Sequence, residues 1–501
     1  MREVGLFIDG KVCPAIAGET FESINPATEE AWATIAAGRP ADIDLAVAAA
    51  KRAHVSGVWR SKTPAERAAV LNRMADMFIE RQEEICIAEV SDGGGTFRKA
   101  NTADISATMQ TFQYYAELIQ KMEWDREDSE EVPVLSRNIV TKEPIGVVGA
   151  IVPFNFPLAA AAWKVAPALA AGCTIVLKPS PFTPTSAIML AEIARDAGVP
   201  DGVFNVVPGP DADIGMRLVE HPDVDKIAFT GSTAVGRAVM KSAADEIKNV
   251  TLELGGKAAN IILDDANLDG AVRGAIFGTF FHSGQVCQSG TRVLVHRSLL
   301  DEFVERIVAD VAKIKVGDPM DPMTTFGPLI NQAQLDRALN YIEIGKSEGA
   351  KLVFGGKRPE GLDKGYFIEP TIFVDGSNDM RLAREEVFGP VVIIIPFDTD
   401  EDAIAIANDS PYGLTGAVWT KDEARGLKFA RAIEAGTVWI NDFHLLNPKY
   451  PFGGYKKSGI GRELGPEGLS NYLETKHIHI GQPDGNDIKY YFGMLVDDFD
   501  F

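Results

Sequence analysis

Cysteine is scarce in this sequence. Four thiols in 501 residues cannot staple a fold, which excludes a disulfide framework and suits a reducing compartment. Uncharged apolar runs of membrane-spanning length are lacking, and Met1-Arg2-Glu3-Val4-Gly5 carries no basic segment followed by an apolar one. A cytoplasmic protein with no membrane partner is therefore expected. Basic charge is in deficit: 49 Lys and Arg stand against 71 Asp and Glu, a formal net charge of −22. Nucleic-acid binders concentrate positive charge, so no DNA or RNA partner is expected. Tandem repeats and low-complexity segments are missing too, and no metal site is expected.

What is present describes a globular chain. Hydrophobic residues make up 46 % and charged residues 24 %, and the length calls for two or three domains. Asp9-Gly10 marks a hairpin turn between Leu6-Phe7-Ile8 and Lys11-Val12. Alanine-rich residues 42–56 read as a helix, and Thr63-Pro64-Ala65-Glu66 as the capping box of another running to about Val90, stopped by Gly93-Gly94-Gly95. A helix over about 101–120 follows, and the charged run Glu123 to Glu131 reads as a solvated loop. From Ile145 apolar strands alternate with helices: 145–152, 158–171, 173–177, 185–197, 203–207, 226–230, 234–244 and 250–254. That alternation predicts a parallel sheet covered on both faces, and a second α/β unit repeats it from 260 to about 440.

One stretch carries chemistry. In Phe281-His282-Ser283-Gly284-Gln285-Val286-Cys287-Gln288-Ser289-Gly290 a single thiol stands among small and polar residues, as a nucleophile requires. Cys13, Cys86 and Cys173 sit in extended, helical and apolar surroundings and read as small buried hydrophobes. Core packing competes as a reading of any free cysteine, and company elsewhere decides against it for Cys287. Glu253 lies in the apolar strand Val250-Thr251-Leu252-Glu253-Leu254, where burial raises a carboxyl pKa and suits it to act as a base. Gly231-Ser232 ends a strand at a helix N-terminus, a weak signal for phosphate without the full glycine fingerprint.

Seven motifs in order, Pro153-Phe154-Asn155-Phe156-Pro157, Lys178-Pro179-Ser180, Phe229-Thr230-Gly231-Ser232, Glu253-Leu254-Gly255-Gly256-Lys257, Gly284-Gln285-Val286-Cys287, Glu386-Val387-Phe388-Gly389-Pro390 and Pro451-Phe452-Gly453-Gly454-Tyr455-Lys456, resemble the aldehyde dehydrogenase superfamily over nearly the whole chain. The resemblance implies an α/β fold: a Rossmann-like cofactor domain (1–120 and 143–254), an α/β catalytic domain (255–457), and a small β oligomerisation element with C-terminal tail (121–142 and 458–501). It implies oxidation of a small-molecule aldehyde by NAD(P), with Cys287 as nucleophile, Asn155 and the Cys287 backbone holding the oxyanion, and Glu253 as the base that hydrolyses the thioester. That glutamate argues against the acylating branch. Lys164 and Glu463 would relay the proton. Lys178 and Glu386 would hold ribose hydroxyls and Ser232 the pyrophosphate, with Phe154, Ser180, Pro181, Gly231, Leu254 and Phe388 completing the cofactor site. A homo-oligomer, dimer or tetramer, is implied as well.

Two departures bear on cofactor and substrate. Phe154 stands where many relatives carry tryptophan. Pro181 stands where NAD-selective members often carry a glutamate, so NADP is an alternative to NAD, with Ser180 as a phosphate donor. By family position Phe156, Trp163, Phe281, Leu446 and Phe452 wall the entry to Cys287, and an exposed His444 is the only titratable group expected near its mouth. Uncharged aromatic or medium-chain aldehydes are the expected substrates. A semialdehyde or amino-aldehyde dehydrogenase of the same superfamily, a thiol hydrolase without cofactor, and a non-catalytic protein on this fold are the alternatives. The tail after Gly481, rich in Tyr, Phe and Asp, is expected to pack across a subunit boundary.

Overall fold

The computed structural model describes residues 2–130, 136–481 and 495; the aromatic residues of the tail lie outside the described residues. Among these, an eight-stranded sheet organises the first half. Its strands run, edge to edge, Gly459–Ile460, Asn249–Glu253, Lys226–Thr230, Val147–Ile151, Thr174–Lys178, Phe204–Val206, Leu6–Ile8 and Lys11–Cys13. The five from Asn249–Glu253 to Phe204–Val206 are parallel. In chain order these five lie 5-4-1-2-3, the doubly wound arrangement, with the switch point between Val147–Ile151 and Lys226–Thr230. Both faces are covered, since helices such as Pro40–Ser56 and Pro157–Ala171 pack their alanines against the buried valines and isoleucines.

A seven-stranded sheet organises the second half, in the order Lys351–Phe354, Thr371–Val374, Val391–Phe397, Arg292–His296, Ala259–Ile262, Thr415–Trp419 and Thr437–Ile440. All its pairings are parallel except that of the edge strand Lys351–Phe354. A third, antiparallel sheet joins Asp125–Glu130, Ser136–Pro144 and Leu473–Gly481.

Several local expectations hold and several do not. Asp9 and Gly10 take positive φ of 52° and 78°, as a two-residue hairpin turn between twisted strands demands. Thr63 and Glu66 form the reciprocal capping box, but the helix they start ends at Glu80, and Gln82–Gly93 is a separate helix. Arg81, non-helical at φ −106° and ψ 15°, makes the break, and Gly94 stops the second helix in the left-handed conformation. The charged run is a strand, not a loop: Asp125–Glu130 satisfies its backbone against Ser136–Pro144 while the side chains of residues 125–129 stay exposed. Gly459–Ile460 belongs to the eight-stranded sheet rather than to the C-terminal element, because it pairs with Leu252 and Glu253. Cys86 and Cys173 are buried as expected; Cys13, on an edge strand, is only half-buried.

Periodicity did not reveal the π-turn Ala100–Asp104 ahead of the helix Ile105–Lys121. The turn rests on a buried ion pair, Lys99 Nζ to Asp104 Oδ2 at 2.7 Å. Beside it lies Glu89, whose carboxyl burial and the Asp104 charge push up to about 8. A buried acid with a raised native pKa binds more protons folded than unfolded, so stability falls as pH rises toward that value. Glu89→Gln is therefore expected to lessen the decline of melting temperature between pH 6 and 9 relative to wild type. Parallel melting curves across that range would refute this role of Glu89.

Candidate active site

Parallel α/β sheets bind ligands outside the carboxyl ends of their strands, at the switch point. Here that edge collects nearly every candidate. Phe154 and Asn155 follow Val147–Ile151, Lys178 ends the adjacent strand, Gly231 and Ser232 follow Lys226–Thr230, and Glu253 ends the strand beside it in register with Thr230. Cys287, Glu386 and Phe388 reach the same edge from the second half.

The approach to Cys287 is a strained turn. His282, Ser283 and Gly284 take consecutive left-handed φ of 48°, 54° and 72°, which carries the chain off the helix Leu268–Phe280. Gly284 is required there on a second count: a Cβ would lie 2.4 Å from the Gly389 carbonyl oxygen. Ser283 Oγ anchors the turn by donating to the Gly327 carbonyl at 2.7 Å. Cys287 itself is half-buried. Desolvation, with Glu386 and Glu253 adding, pushes its thiol up to about 12, so it rests protonated and needs a base.

Asn155 is 4 % exposed and donates one amide N–H to the Gln285 carbonyl at 2.8 Å. That bond orients the amide and leaves its second N–H for another acceptor. Glu253 is equally buried, and neither carboxylate oxygen has a hydrogen-bond partner among the described residues. Desolvation and then the Glu463 charge raise its pKa well above the ordinary carboxyl range, opposed by Lys164 and Arg462. Its close fit depends on Gly453, where a Cβ would stand 2.7 Å from Glu253 Oε1. Lys164, fully buried, pairs with Glu463 and donates to Thr230 Oγ1 at 2.6 Å.

Cys287, Asn155, Glu253 and Glu463 line one cavity of about 420 Å³. Phe156, Trp163, Phe281, Leu446, Phe452 and His444 wall it as the sequence suggests. Trp163 packs edgewise on Phe452 at 5.4 Å, and Phe156 lies tilted against Phe281 at 6.0 Å. His444 differs from expectation. It is half-buried rather than exposed, wedged against Phe277, Phe281 and Phe443. Desolvation depresses it to about 3, so it is neutral, and the Gln288 amide meets its Nδ1 at 2.9 Å. Nor is it alone: Asp104 also lines the wall, its charge answered by Lys99, which lies 4.2 Å over the Phe156 ring.

The crevice on the other side of Cys287 gathers the remaining residues. Glu386 Oε1 accepts from Gly256 N at 3.1 Å, and burial pushes its carboxyl up to about 7. Lys178 has no hydrogen-bond partner among the described residues, and desolvation lowers its amine to about 8. Ser180 Oγ accepts from Phe182 N at 3.2 Å, which leaves its hydroxyl hydrogen free; Pro181 beside it is half-buried. Phe154 stands edge-on between Phe182 and Phe388, at 6.2 and 5.7 Å. Ser232 is exposed and caps Thr233–Ala243 by accepting from Val235 N at 3.3 Å, downstream of Gly231, whose N–H donates to the Glu253 carbonyl. Leu254 is core, packed over Gly236 beneath the crevice.

Three residues escaped the sequence reading. Thr230 receives the Lys164 ammonium; its alternation with Ala228 and Lys226 on one strand was a usable signal. Gln285 orients Asn155 through its carbonyl and ties down Ile330 N through its side chain at 3.0 Å, a pairing that spacing does not reveal. Ser458, buried, donates to the Gly255 carbonyl at 2.7 Å and accepts from Gly413 N at 3.0 Å, locking the end of the Glu253 strand to both halves.

This arrangement is shared with known proteins. The pattern of the aldehyde dehydrogenase family matches residues 14–478. An aldehyde dehydrogenase of Alternaria alternata is 45 % identical over 480 residues, 96 % of this chain and 95 % of its own. A betaine aldehyde dehydrogenase of Bacillus subtilis is 44 % identical over 476 residues, 95 % of this chain and 96 % of its own. The structure of an aldehyde dehydrogenase from Bacillus cereus in complex with NAD+ superposes with a TM-score of 0.93 at 46 % identity, covering 96 % of this chain and 97 % of that one. A match of this extent, on a fold that brings a thiol, a partnerless carboxyl and an oriented amide to one cavity, means that the chain belongs to the aldehyde dehydrogenase family.

Proposed function

We propose that the chain oxidises an uncharged aldehyde, aromatic or of medium chain length, to its carboxylic acid, with NAD as hydride acceptor and NADP as an alternative. The observation that carries this reading is the meeting of Cys287, Asn155 and the partnerless Glu253 on one apolar-walled cavity. The Cys287 sulfur adds to the carbonyl carbon as its proton leaves to solvent water, so Glu253 is spared for the later step. The free N–H of Asn155 and the backbone N–H of Cys287 hold the oxygen as it gains charge. NAD, when bound, supplies the acceptor for the hydride that leaves the thiohemiacetal carbon. Glu253 then takes a proton from water as its oxygen adds to the thioester; the acid departs and the thiol is restored. Lys164 and Glu463 pass the proton on.

The crevice at the switch point suits a dinucleotide. Glu386 and the partnerless Lys178 offer an acceptor and a donor to ribose hydroxyls, and the N-terminus at Ser232 offers amides to a pyrophosphate. Gly231, Ser180, Pro181, Phe154 and Phe388 border it over Leu254. The same reading divides the chain into a cofactor half, a catalytic half from 255, and the three-stranded sheet as the joint of a homo-oligomer, and it assigns the protein to the cytoplasm. A thiol hydrolase would use Cys287 and Glu253 without this crevice. A second substrate reading has support from the betaine aldehyde dehydrogenase relative: the rings of Trp163, Phe156, Phe281 and Phe452 suit a quaternary ammonium as well as a hydrocarbon.

Glu253→Gln is expected to retain a stoichiometric burst of reduced cofactor while steady turnover falls on the order of a hundredfold. Wild-type turnover is expected to fall as pH drops through the raised carboxyl pKa, since hydrolysis needs the carboxylate. Equal loss of burst and turnover would move Glu253 to the acylation step. Pro181→Glu is expected to suppress NADP activity selectively, through repulsion of the 2′-phosphate. An unchanged ratio of NADP to NAD activity would remove Pro181 from the ribose. Substrate class is read from kcat/KM: along acetaldehyde to octanal each methylene should add up to about 0.8 kcal/mol, roughly fourfold, until the cavity is full. A flat series, with betaine aldehyde or succinic semialdehyde clearly preferred, would overturn the apolar assignment.

A further inference from the structure

Lys226 is a fully buried lysine that the scheme above leaves without a task. No carboxylate pairs with it among the described residues. Its ammonium donates to Asn249 Oδ1 at 3.0 Å and Thr251 Oγ1 at 3.3 Å, and lies 5.1 Å from the Tyr472 ring centroid. Burying a lone cation costs several kcal/mol, which two neutral acceptors and a ring face offset only in part.

Its place in the sheet suggests what the cost serves. Lys226, Ala228 and Thr230 alternate onto one face of their strand, and Asn249, Thr251 and Glu253 onto the same face of the neighbour, paired rung by rung. At one end Glu253 and Thr230 meet the cavity, with Lys164 and Glu463 bonded to that end. At the other, Lys226 stands beside Asn249, which is exposed. The middle rung offers the buried Thr251 hydroxyl opposite only a methyl group, so polar groups are arrayed on one face from Glu253 to Asn249, rungs about 7 Å apart, with Thr251 bonded to Lys226 and, among the described residues, not directly to the Lys164–Glu463 end.

We propose that Lys226 carries the proton of the hydrolytic step from Lys164 and Glu463 to solvent at Asn249. The inference rests on Glu253 acting as the hydrolytic base. The proton that Glu253 takes from water moves to the Glu463–Lys164 pair. A water bridging that pair to the Thr251 hydroxyl takes the proton and hands one to Thr251, which gives its own to the neutral Lys226 amine, and the ammonium then releases a proton to water beside Asn249. No bond to substrate or cofactor is involved, so Lys226 is a relay and positioning residue. Cys173, Glu463, Lys164 and Tyr472 are the titratable groups that face it. Desolvation lowers its amine to about 7, so both protonation states are populated near neutrality.

The test is rapid-mixing and steady-state kinetics of Lys226→Met and Lys226→Arg from pH 6 to 9. Both variants are expected to give one equivalent of reduced cofactor per site at the wild-type burst rate, with steady turnover reduced about tenfold and a pH profile set by the Glu253 carboxyl alone, without the further inflection due to Lys226. Arginine should not restore turnover, because its guanidinium keeps its proton throughout. Full turnover in the arginine variant would overturn the proposal in favour of a charge-packing role, and so would wild-type turnover or loss of the burst in the methionine variant. Should Lys226→Met fail to fold, Thr251→Val keeps the lysine and cuts the relay; slowed turnover with an intact burst is expected, and unchanged turnover overturns the proposal. Failure of the underlying site reading is seen separately, as a Cys287→Ala variant that still turns over.

Discussion

Holding the Glu253 carboxyl out of water with no hydrogen-bond partner is the constraint from which the rest of this site follows. An unpaired buried carboxylate costs several kcal/mol, or the group stays protonated. Its strand cannot simply eject it, because Glu253 is paired in register with Thr230 on one side and Gly459 on the other. The surroundings answer with long-range charge instead of contact: Lys164 and Arg462 lower its pKa, while Glu463 raises it. A carboxyl left poised in this way accepts a proton more readily than one satisfied by backbone amides.

Glycine is what lets the neighbouring groups come close enough. Gly453 gives Glu253 its space, and a Cβ at Gly256 would stand 2.5 Å from the Cys287 carbonyl oxygen. Ser458 then ties the same segment to both halves through its hydroxyl. The thiol, the carboxyl and the crevice residue Glu386 are thus set by backbone approach rather than by side-chain pairing. Even an alanine at these glycines would press directly on Glu253 or on the Cys287 backbone and displace the thiol and the carboxyl from each other.

Much of this was legible before any coordinates. The strands Lys226–Thr230 and Asn249–Glu253 announced themselves as apolar runs ending in glycine and glutamate, and the capping box at Thr63 and the turn at Asp9-Gly10 are local chemistry that folds as written. What was not legible is long-range. Arg81 has no sequence mark of a helix break, and Asp125–Glu130 is a strand only because Ser136–Pro144 is there to satisfy its backbone. Thr230, Gln285 and Ser458 are common polar residues whose roles come from partners 66, 130 and 203 positions away. His444 shows the same limit for electrostatics: its neutrality follows from the rings packed around it, and nothing adjacent in sequence supplies them.

These shifts share a sense. Desolvation raises the acids, with Cys287 at about 12, Glu386 at about 7 and Glu253 well above its ordinary range, and it lowers the bases, with Lys178 at about 8, Lys226 at about 7 and His444 at about 3. The centre therefore favours neutral forms near neutral pH and holds a store of protons that move at little cost. The charges that line the cavity are already paired, Asp104 with Lys99 and Glu463 with Lys164, so none is left over to offset the lost hydration of a charged guest. An anion beside Glu463 would in addition meet like charge, softened by the paired Lys164. The environment that holds the thiol and carboxyl in their neutral forms thus also disfavours a charged guest, and both follow from the same exclusion of water.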